Sequence, residues 1–68
     1  MQPWMTLAQA LRADVPEARE QALAAIAETR GNAVHTARRL GIGHRTWCEL
    51  VAELSWLARA QSDARRVA

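Results

Sequence analysis

The chain has 68 residues, of which 50% are hydrophobic and 24% are charged, and its net charge at pH 7 is +2. A chain of this length forms one domain, assigned here to residues 1–68, and buries only about 60% of its unfolded surface. Its single cysteine excludes an internal disulfide, and no apolar run approaches the roughly 20 residues of a membrane span. The first residues lack the basic start of a signal peptide. We therefore expect a cytoplasmic protein that does not enter a membrane.

The composition favours helices, because the apolar residues are mostly Ala and Leu, with no Phe or Tyr. An all-α fold of four helices is predicted. The first helix is placed at about 5–13, since Pro16 biases the residue before it away from the helical region. Apolar residues ahead of this proline recur at helical spacing. They are Trp4, Leu7, Ala8 and Leu11.

The second helix is predicted at 16–30, with Pro16 in its first turn and Gly31 as the left-handed residue that ends it. Glutamates near its start favour the positive end of the helix dipole. Its apolar residues again fall on one face, which we expect to be buried. This predicted stripe consists of Ala18, Ala22, Leu23, Ile26 and Ala27.

Two further helices follow the glycine. The third is predicted at 33–40, with Asn32 as its N-cap and Gly41 after its end. The fourth is predicted to run unbroken over about 44–61, and the tail 63–68 is expected to fray. The apolar face of this long helix comprises Trp47, Leu50, Val51, Leu54 and Leu57.

Residues 29–46 contain all three glycines, both histidines and four of the nine arginines, but no acidic residue. Gly31 and Gly41 bracket a helix of about eight residues, and the sequence "GIG" turns the chain into the next helix. A short helix, a sharp turn and a second helix form a helix-turn-helix, in which the second helix enters the major groove of DNA.

These residues resemble the C-terminal DNA-binding domain of the Fis nucleoid protein and of NtrC-type activators. The family pattern reads approximately T-x-G-N-x-x-x-A-A-x-x-L-G-I-x-R-x-T-L-x-x-x-L. The similarity spans about 28–51, a third of the chain, and implies a Fis-like domain with a long C-terminal recognition helix. The residues that match are Thr29, Gly31, Asn32, Ala37, Leu40, Gly41, Ile42 and Thr46.

The chain departs from the family pattern at several positions. Thr36 replaces the first of two alanines, His44 replaces an arginine, and Trp47 and Val51 replace leucines. Where the family places basic residues on the recognition helix, this chain has a different set, which weakens phosphate contacts there. That set is Cys48, Glu49 and Leu50.

The helix-turn-helix interpretation gives each polar residue of the segment a role on double-stranded DNA. We assign base contacts to His44, Arg45 and Thr46. Alternatively, the arginines form a solvated face, the histidines have no role, and Thr46 caps its helix. Phosphate contacts are assigned to Asn32, His35, Arg38 and Arg39.

Metal and enzyme chemistry are not expected. His44 and Cys48 share one helix face, but two ligands are too few for a structural zinc site. The same pair lacks the orienting third group and the glycine-rich pocket of a nucleophilic site. We therefore predict no catalytic residue, no metal site and no cofactor.

The fourth helix is predicted to outrun the other three, so that its far half, with Trp56 and Leu57, contacts a second chain. The favoured interpretation is a nucleoid-associated, homodimeric DNA-binding regulator or architectural factor. The alternative is a protein-interaction module, such as an anti-activator or adaptor, on a scaffold that has lost DNA affinity. Its support lies in Glu49, Leu50 and Glu53.

Overall fold

The computed structural model describes residues 4–67, which fold into five helices and contain no strand. The prediction of an all-α fold is therefore confirmed, but the predicted number of four helices is wrong. Within the described residues, no helix has the length and apolar character needed to cross a membrane. In chain order the helices are α1 (Leu7–Arg12), α2 (Pro16–Glu28), α3 (Ala33–Leu40), α4 (His44–Glu53) and α5 (Ser55–Val67).

The first three helices begin at residues that satisfy or remove free backbone N–H groups. Thr6 and Gln9 form a capping box at the start of α1, in which each side chain accepts a hydrogen bond from the other residue's N–H. Pro16 occupies the first turn of α2, where its missing N–H costs nothing. The Asn32 side chain accepts a hydrogen bond from the N–H of His35 at 3.0 Å, so the predicted cap of α3 is confirmed.

The same three helices end in one hydrogen-bond pattern, the Schellman motif. The residues in the left-handed region that end them are Asp14, Arg30 and Gly41, with φ of 58°, 56° and 71°. In each case the next N–H bonds a carbonyl five residues back, at 2.9 to 3.0 Å. The predicted end of α2 is therefore wrong by two residues. Gly31 is left-handed as predicted, with φ of 79°, but it follows Arg30 in that conformation.

The core is built largely from alanine, which lets the helices approach closely. The predicted stripe of α2 is confirmed only in part, because Leu23 is 40% exposed and Ala27 is also exposed. Leu23 lies beyond the edge of the face that α2 buries and Ala27 lies on the opposite side of the helix, whereas Ala25 lies within the buried face. Trp4 is 73% exposed, since α1 begins three residues after it. The buried apolar residues are Ala10, Leu11, Ala18, Ala22, Ala25, Ile26, Ala37, Trp47, Leu50 and Leu57.

The predicted long fourth helix is broken at Leu54, which has extended backbone angles, φ −108° and ψ 104°. Its N–H still bonds Leu50 at 2.8 Å, and its carbonyl accepts from Leu57 and Ala58, so Leu54 both ends α4 and begins α5. A straight helix of 18 residues would extend about 27 Å and leave its far apolar side chains in water. The bend instead places Leu50 and Leu57 in one core.

Most of the tail predicted to fray, residues 63–67, is helical, and residue 68 lies outside the described residues. Helix α5 continues to Val67, and the Arg65 side chain donates from Nε to the carbonyl of Gly31 at 2.8 Å. Gln61 accepts a hydrogen bond from the buried Trp47 indole at 2.9 Å. Two polar side chains of α5 therefore bind the connection before α3 and the first turn of α4.

Candidate nucleic-acid interface

The connection between α2 and α3 is fixed by a buried pair of hydroxyls. Thr36 is fully buried, and its Oγ1 lies 2.6 Å from the carbonyl of Asn32 and 2.6 Å from Oγ1 of Thr29. Each hydroxyl has one proton, so both short contacts are satisfied when Thr29 donates to Thr36 and Thr36 donates to Asn32. The end of α2 is thus tied to the first turn of α3, and the departure to Thr36 has a structural role.

The connection is also pressed against α5. An added Cβ on Gly31 would lie 2.5 Å from the carbonyl oxygen of Gln61 and 2.7 Å from Cγ of Arg65. Only glycine fits there, both because of its positive φ and because of this close approach. Through Gly31, the start of α3 is held in a fixed position on the domain.

The turn between α3 and α4 contains Gly41, Ile42 and Gly43. Gly41 adopts the left-handed conformation, as predicted, and a Cβ added to it would meet no atom within 4 Å. Ile42 packs against the core, while Gly43 supplies the N-cap of α4 without a side-chain hydrogen bond. The helix, turn and helix predicted from the sequence are therefore present in the structure, with an open outer surface at the turn.

Helix α4 buries one face and exposes the other. Trp47 and Leu50 are fully buried, whereas His44 and Arg45 are exposed at the start of the helix. Leu50 is thus a core residue and contributes nothing to the outer surface. It therefore supports neither the predicted weakening of phosphate contacts on this helix nor the alternative of a protein-interaction module. Thr46 is half-buried beside Trp47, and no side-chain hydrogen bond ties it to the described residues.

Two shallow grooves adjoin this turn, and Arg38 lines both. One groove is lined by Val34, Arg38, Ile42 and His44, and the other by Glu28, His35, Arg38 and Arg39, among others. The structure thus brings four of the predicted contact residues, one of them His44 from the start of α4, onto one continuous surface. Arg45 lines neither groove, but it is exposed directly after His44 in the chain, and we call the set His35, Arg38, His44 and Arg45 the turn surface.

Arg39 differs from its neighbour Arg38. Its Nη1 lies 2.6 Å from a carboxylate oxygen of Glu28, across the gap between α3 and α2. The expectation that the arginines of this segment have no acidic neighbour is therefore wrong for Arg39, because the fold brings Glu28 to it from α2. Arg38 and Arg45 form no ion pair with any residue in the described range 4–67.

The far half of α4 is acidic but partly neutralised. Arg12 of α1 donates from Nε to Glu53 at 2.7 Å, and this hydrogen bond raises the pKa of the Arg12 guanidinium, as does the charge of nearby Glu49. Glu49 itself is exposed one turn after Arg45. The exposed face of α4 therefore changes from basic at its N-terminus to acidic beyond its first turn.

Asn32 and His44, two residues with predicted DNA contacts, have neighbours within the domain. The Asn32 side chain caps α3, so its oxygen is already engaged. Nε2 of His44 lies 3.5 Å from Sγ of Cys48 on the open surface of α4. Among the described residues, no three His, Cys, Asp or Glu side chains converge in a way that could hold a metal ion.

The predicted dimer residues do not lie together on the surface. Leu57 is fully buried in the core of its own chain, which corrects its assignment to an interface. The bend at Leu54 turns Leu57 inward. The sequence has neither a glycine nor a proline at this position from which the bend could be predicted. Trp56 is half-buried, and the guanidinium of Arg19 lies 4.6 Å from its ring centroid. Leu23, predicted to lie in the core, is exposed nearby.

Sequence reasoning also missed the contacts of Gln61 and Arg65 with the α3 to α4 unit. Neither residue belongs to an apolar pattern or a known motif, and their partners lie 14 and 34 residues away in the chain.

Comparisons of this chain with protein-family models, with curated proteins and with solved structures find no match.

Proposed function

We propose that this chain binds double-stranded DNA through the helix-turn-helix formed by α3 and α4, and acts as a nucleoid-associated, homodimeric regulator or architectural factor. The observation that carries the proposal is the turn surface. It presents Arg38 and Arg45 exposed and without an ion pair among the described residues, on a helix pair fastened to the core through Gly31 and Trp47. Exposed cations without an ion pair suit a polyanion.

In this proposal the two helices have different roles. The first turn of α4 enters the major groove, where Arg45 and His44 reach base edges. Helix α3 crosses the backbone, where Arg38 and His35 contact phosphates. Arg39 contributes less than Arg38, because Glu28 already neutralises it. Thr46 is half-buried, so only the exposed part of its side chain can contact the DNA backbone.

The test is a titration of a labelled random-sequence duplex at low and moderate salt, followed by fluorescence anisotropy. We expect Arg38→Ala to weaken binding to all sequences and to lower the salt slope by about one unit. Arg39→Ala should have a smaller effect on both. Arg66→Ala, which removes the same charge from an exposed position on α5, is the control and should change the slope little.

The Arg45 variant is tested for its effect on sequence specificity and not for its effect on the salt dependence of binding. Once a preferred site has been selected from the random pool, Arg45→Ala should cost about 1–3 kcal/mol of binding and relax specificity at one position in each half-site. Glu49→Lys should tighten binding, because it extends the basic character of α4 by one turn. These results would separate base contacts from phosphate contacts.

A second function is favoured by one observation. Glu49 is exposed on α4, and Glu28 forms an ion pair with Arg39. The surface of the proposed helix-turn-helix therefore carries acids as well as cations. Such a surface suits a protein partner, as in an anti-activator or adaptor. If Arg45→Ala, the Arg38 and Arg39 double change and Glu49→Lys all leave a weak DNA affinity untouched, the DNA-binding proposal fails and this function replaces it.

A further inference from the structure

A second surface lies on the α2 and α5 side of the domain. Leu23 of α2 and Trp56 and Ala60 of α5 form the apolar floor of an open groove, and Arg19, Arg59 and Asp63 flank it. Leu23 is among the few large apolar side chains that the described chain leaves exposed. We call this set the α2/α5 groove.

Trp56 is held in place at the centre of the groove. The Arg19 guanidinium stacks over its ring at 4.6 Å, and Arg19 is itself oriented by Asp14, with 3.6 Å between Nη1 and Oδ1. A cation over an aromatic face is attracted by the ring quadrupole, so this contact favours the observed orientation of the indole. Tryptophan and arginine are the residues that most often anchor protein interfaces.

The charges at the rim are self-complementary. Arg59 and Asp63 lie one turn apart on α5, both are exposed, and neither forms an ion pair within the part of the chain that the structure describes. In a two-fold dimer the same surface of both copies forms the interface, so that surface must be complementary to itself. If two α5 helices pack antiparallel, Arg59 of one copy faces Asp63 of the second copy, and the reverse pair forms as well.

A dimer interface of standard size would take a modest share of the surface of this chain. A standard interface takes about 800 Å² from each partner. The described chain exposes 4512 Å², so an interface of that size requires about a sixth of its surface. Helices α2 and α5 are the two longest of the five, with 13 residues each, and residues of both line the groove.

We propose that the α2/α5 groove is the surface through which two copies of this chain associate, with Trp56 and Leu23 as apolar anchors and two Arg59 to Asp63 pairs between the copies. The inference rests on the homodimer of the proposed function, but not on its DNA contacts. It places Leu23 in the interface where the sequence pattern suggests Leu57.

The experiment measures the dimer dissociation constant by sedimentation equilibrium, in the absence of DNA, for the full chain and two charge variants. Arg59→Asp gives a chain with two acids at these positions, and Asp63→Arg gives a chain with two arginines. Each variant alone places like charges opposite one another, and we expect its dissociation constant to rise at least about tenfold. Circular dichroism verifies that each variant remains helical.

Mixing the two variants distinguishes the proposed contact from a general loss of stability. In an equimolar mixture each acidic position faces an arginine, so heterodimers should form with a dissociation constant within about threefold of the unchanged chain. The double variant R59D/D63R should regain self-association for the same reason. Arg30→Asp, an equal charge change at an exposed position outside the groove, is the control and should leave the constant unchanged.

Three results would overturn the inference. They are a monomeric unchanged chain at micromolar concentration, a single charge variant that dimerises like the unchanged chain, and a mixture that stays monomeric. The fate of the DNA-binding proposal is separate. A chain that dimerises in this way but binds no duplex removes only the DNA contacts. A monomer that binds duplex removes this interface and the homodimer, but leaves the DNA contacts in place.

Discussion

The two connections that flank α3 each contain a glycine with positive φ, but for different reasons. Gly31 and Gly41 have φ of 79° and 71°, and each lies where a helix ends in a Schellman motif. A Cβ at Gly31 would collide with the main chain of α5, whereas a Cβ at Gly41 would meet nothing within 4 Å. The first connection is therefore packed and the second is open. A glycine at a turn can be required by its neighbours or only by its own dihedral angles.

This difference has a consequence for the proposed function. The packed connection ties α3 to α5 through Gly31 and Arg65, so the orientation of the helix pair is set on the side away from solvent. The open connection leaves Arg38, His44 and Arg45 accessible. A binding surface held by one end and exposed at the other is rigid before it meets a partner, which lowers the entropic cost of binding.

The largest effect is expected when the packed glycine is replaced. Gly31→Ala introduces a left-handed residue with a side chain, at about 1–2 kcal/mol, and an overpacked contact, at about 1–3 kcal/mol. A domain of this size has a total stability of about 3–10 kcal/mol, so the variant should be strongly destabilised or unfolded. Gly41→Ala should lose only the first of these two contributions. Urea unfolding followed by circular dichroism measures both, and equal losses would contradict the comparison.

A smaller and graded effect is expected at the open glycine. Gly41→Val should cost more than about 1 kcal/mol, because a β-branched residue is poorly tolerated at positive φ. Gly41→Asn should cost less, since asparagine enters the left-handed region more readily. Thermal unfolding of the two variants gives the order. If the valine variant melts like the unchanged chain, the turn is not held in the observed conformation.

The sequence was sufficient to predict the bounds of α3 and the turn after it, because the signals for them are local. Asn32 is a cap, Gly41 ends a helix, and both act within a few residues of their position. The same reasoning failed at Leu54 because nothing in the neighbouring residues forbids a helix there. The bend is decided by the burial of Leu57 and by the hydrogen bond of Trp47 to Gln61, which join distant segments.

The candidate sites show the same division. The exposure of Arg45 could be predicted from its place opposite Trp47 on one helix, and the structure agrees. The pairing of Arg39 with Glu28 could not be predicted, because the two residues are 11 positions apart and belong to different helices. The burial of Leu57 and the exposure of Leu23 depend on how α2 and α5 cross, which no spacing along a single helix encodes.

The smallest effect concerns the hydroxyl pair at the packed connection. Thr36→Val keeps the shape of the side chain but removes its hydrogen bonds to Asn32 and Thr29, and we expect a loss of about 1 kcal/mol. The loss is limited because Thr29 can donate to the carbonyl of Ala25, at 2.9 Å, and is not left without an acceptor. Thr46→Val is the matched control in the first turn after the open connection. Since no hydrogen bond in the described chain depends on the Thr46 side chain, its unfolding free energy should change by less than about 0.5 kcal/mol. A control that loses as much as Thr36→Val would show that the two connections do not differ in the way proposed, and that the Thr29 to Thr36 contact adds nothing to the fastening of α3.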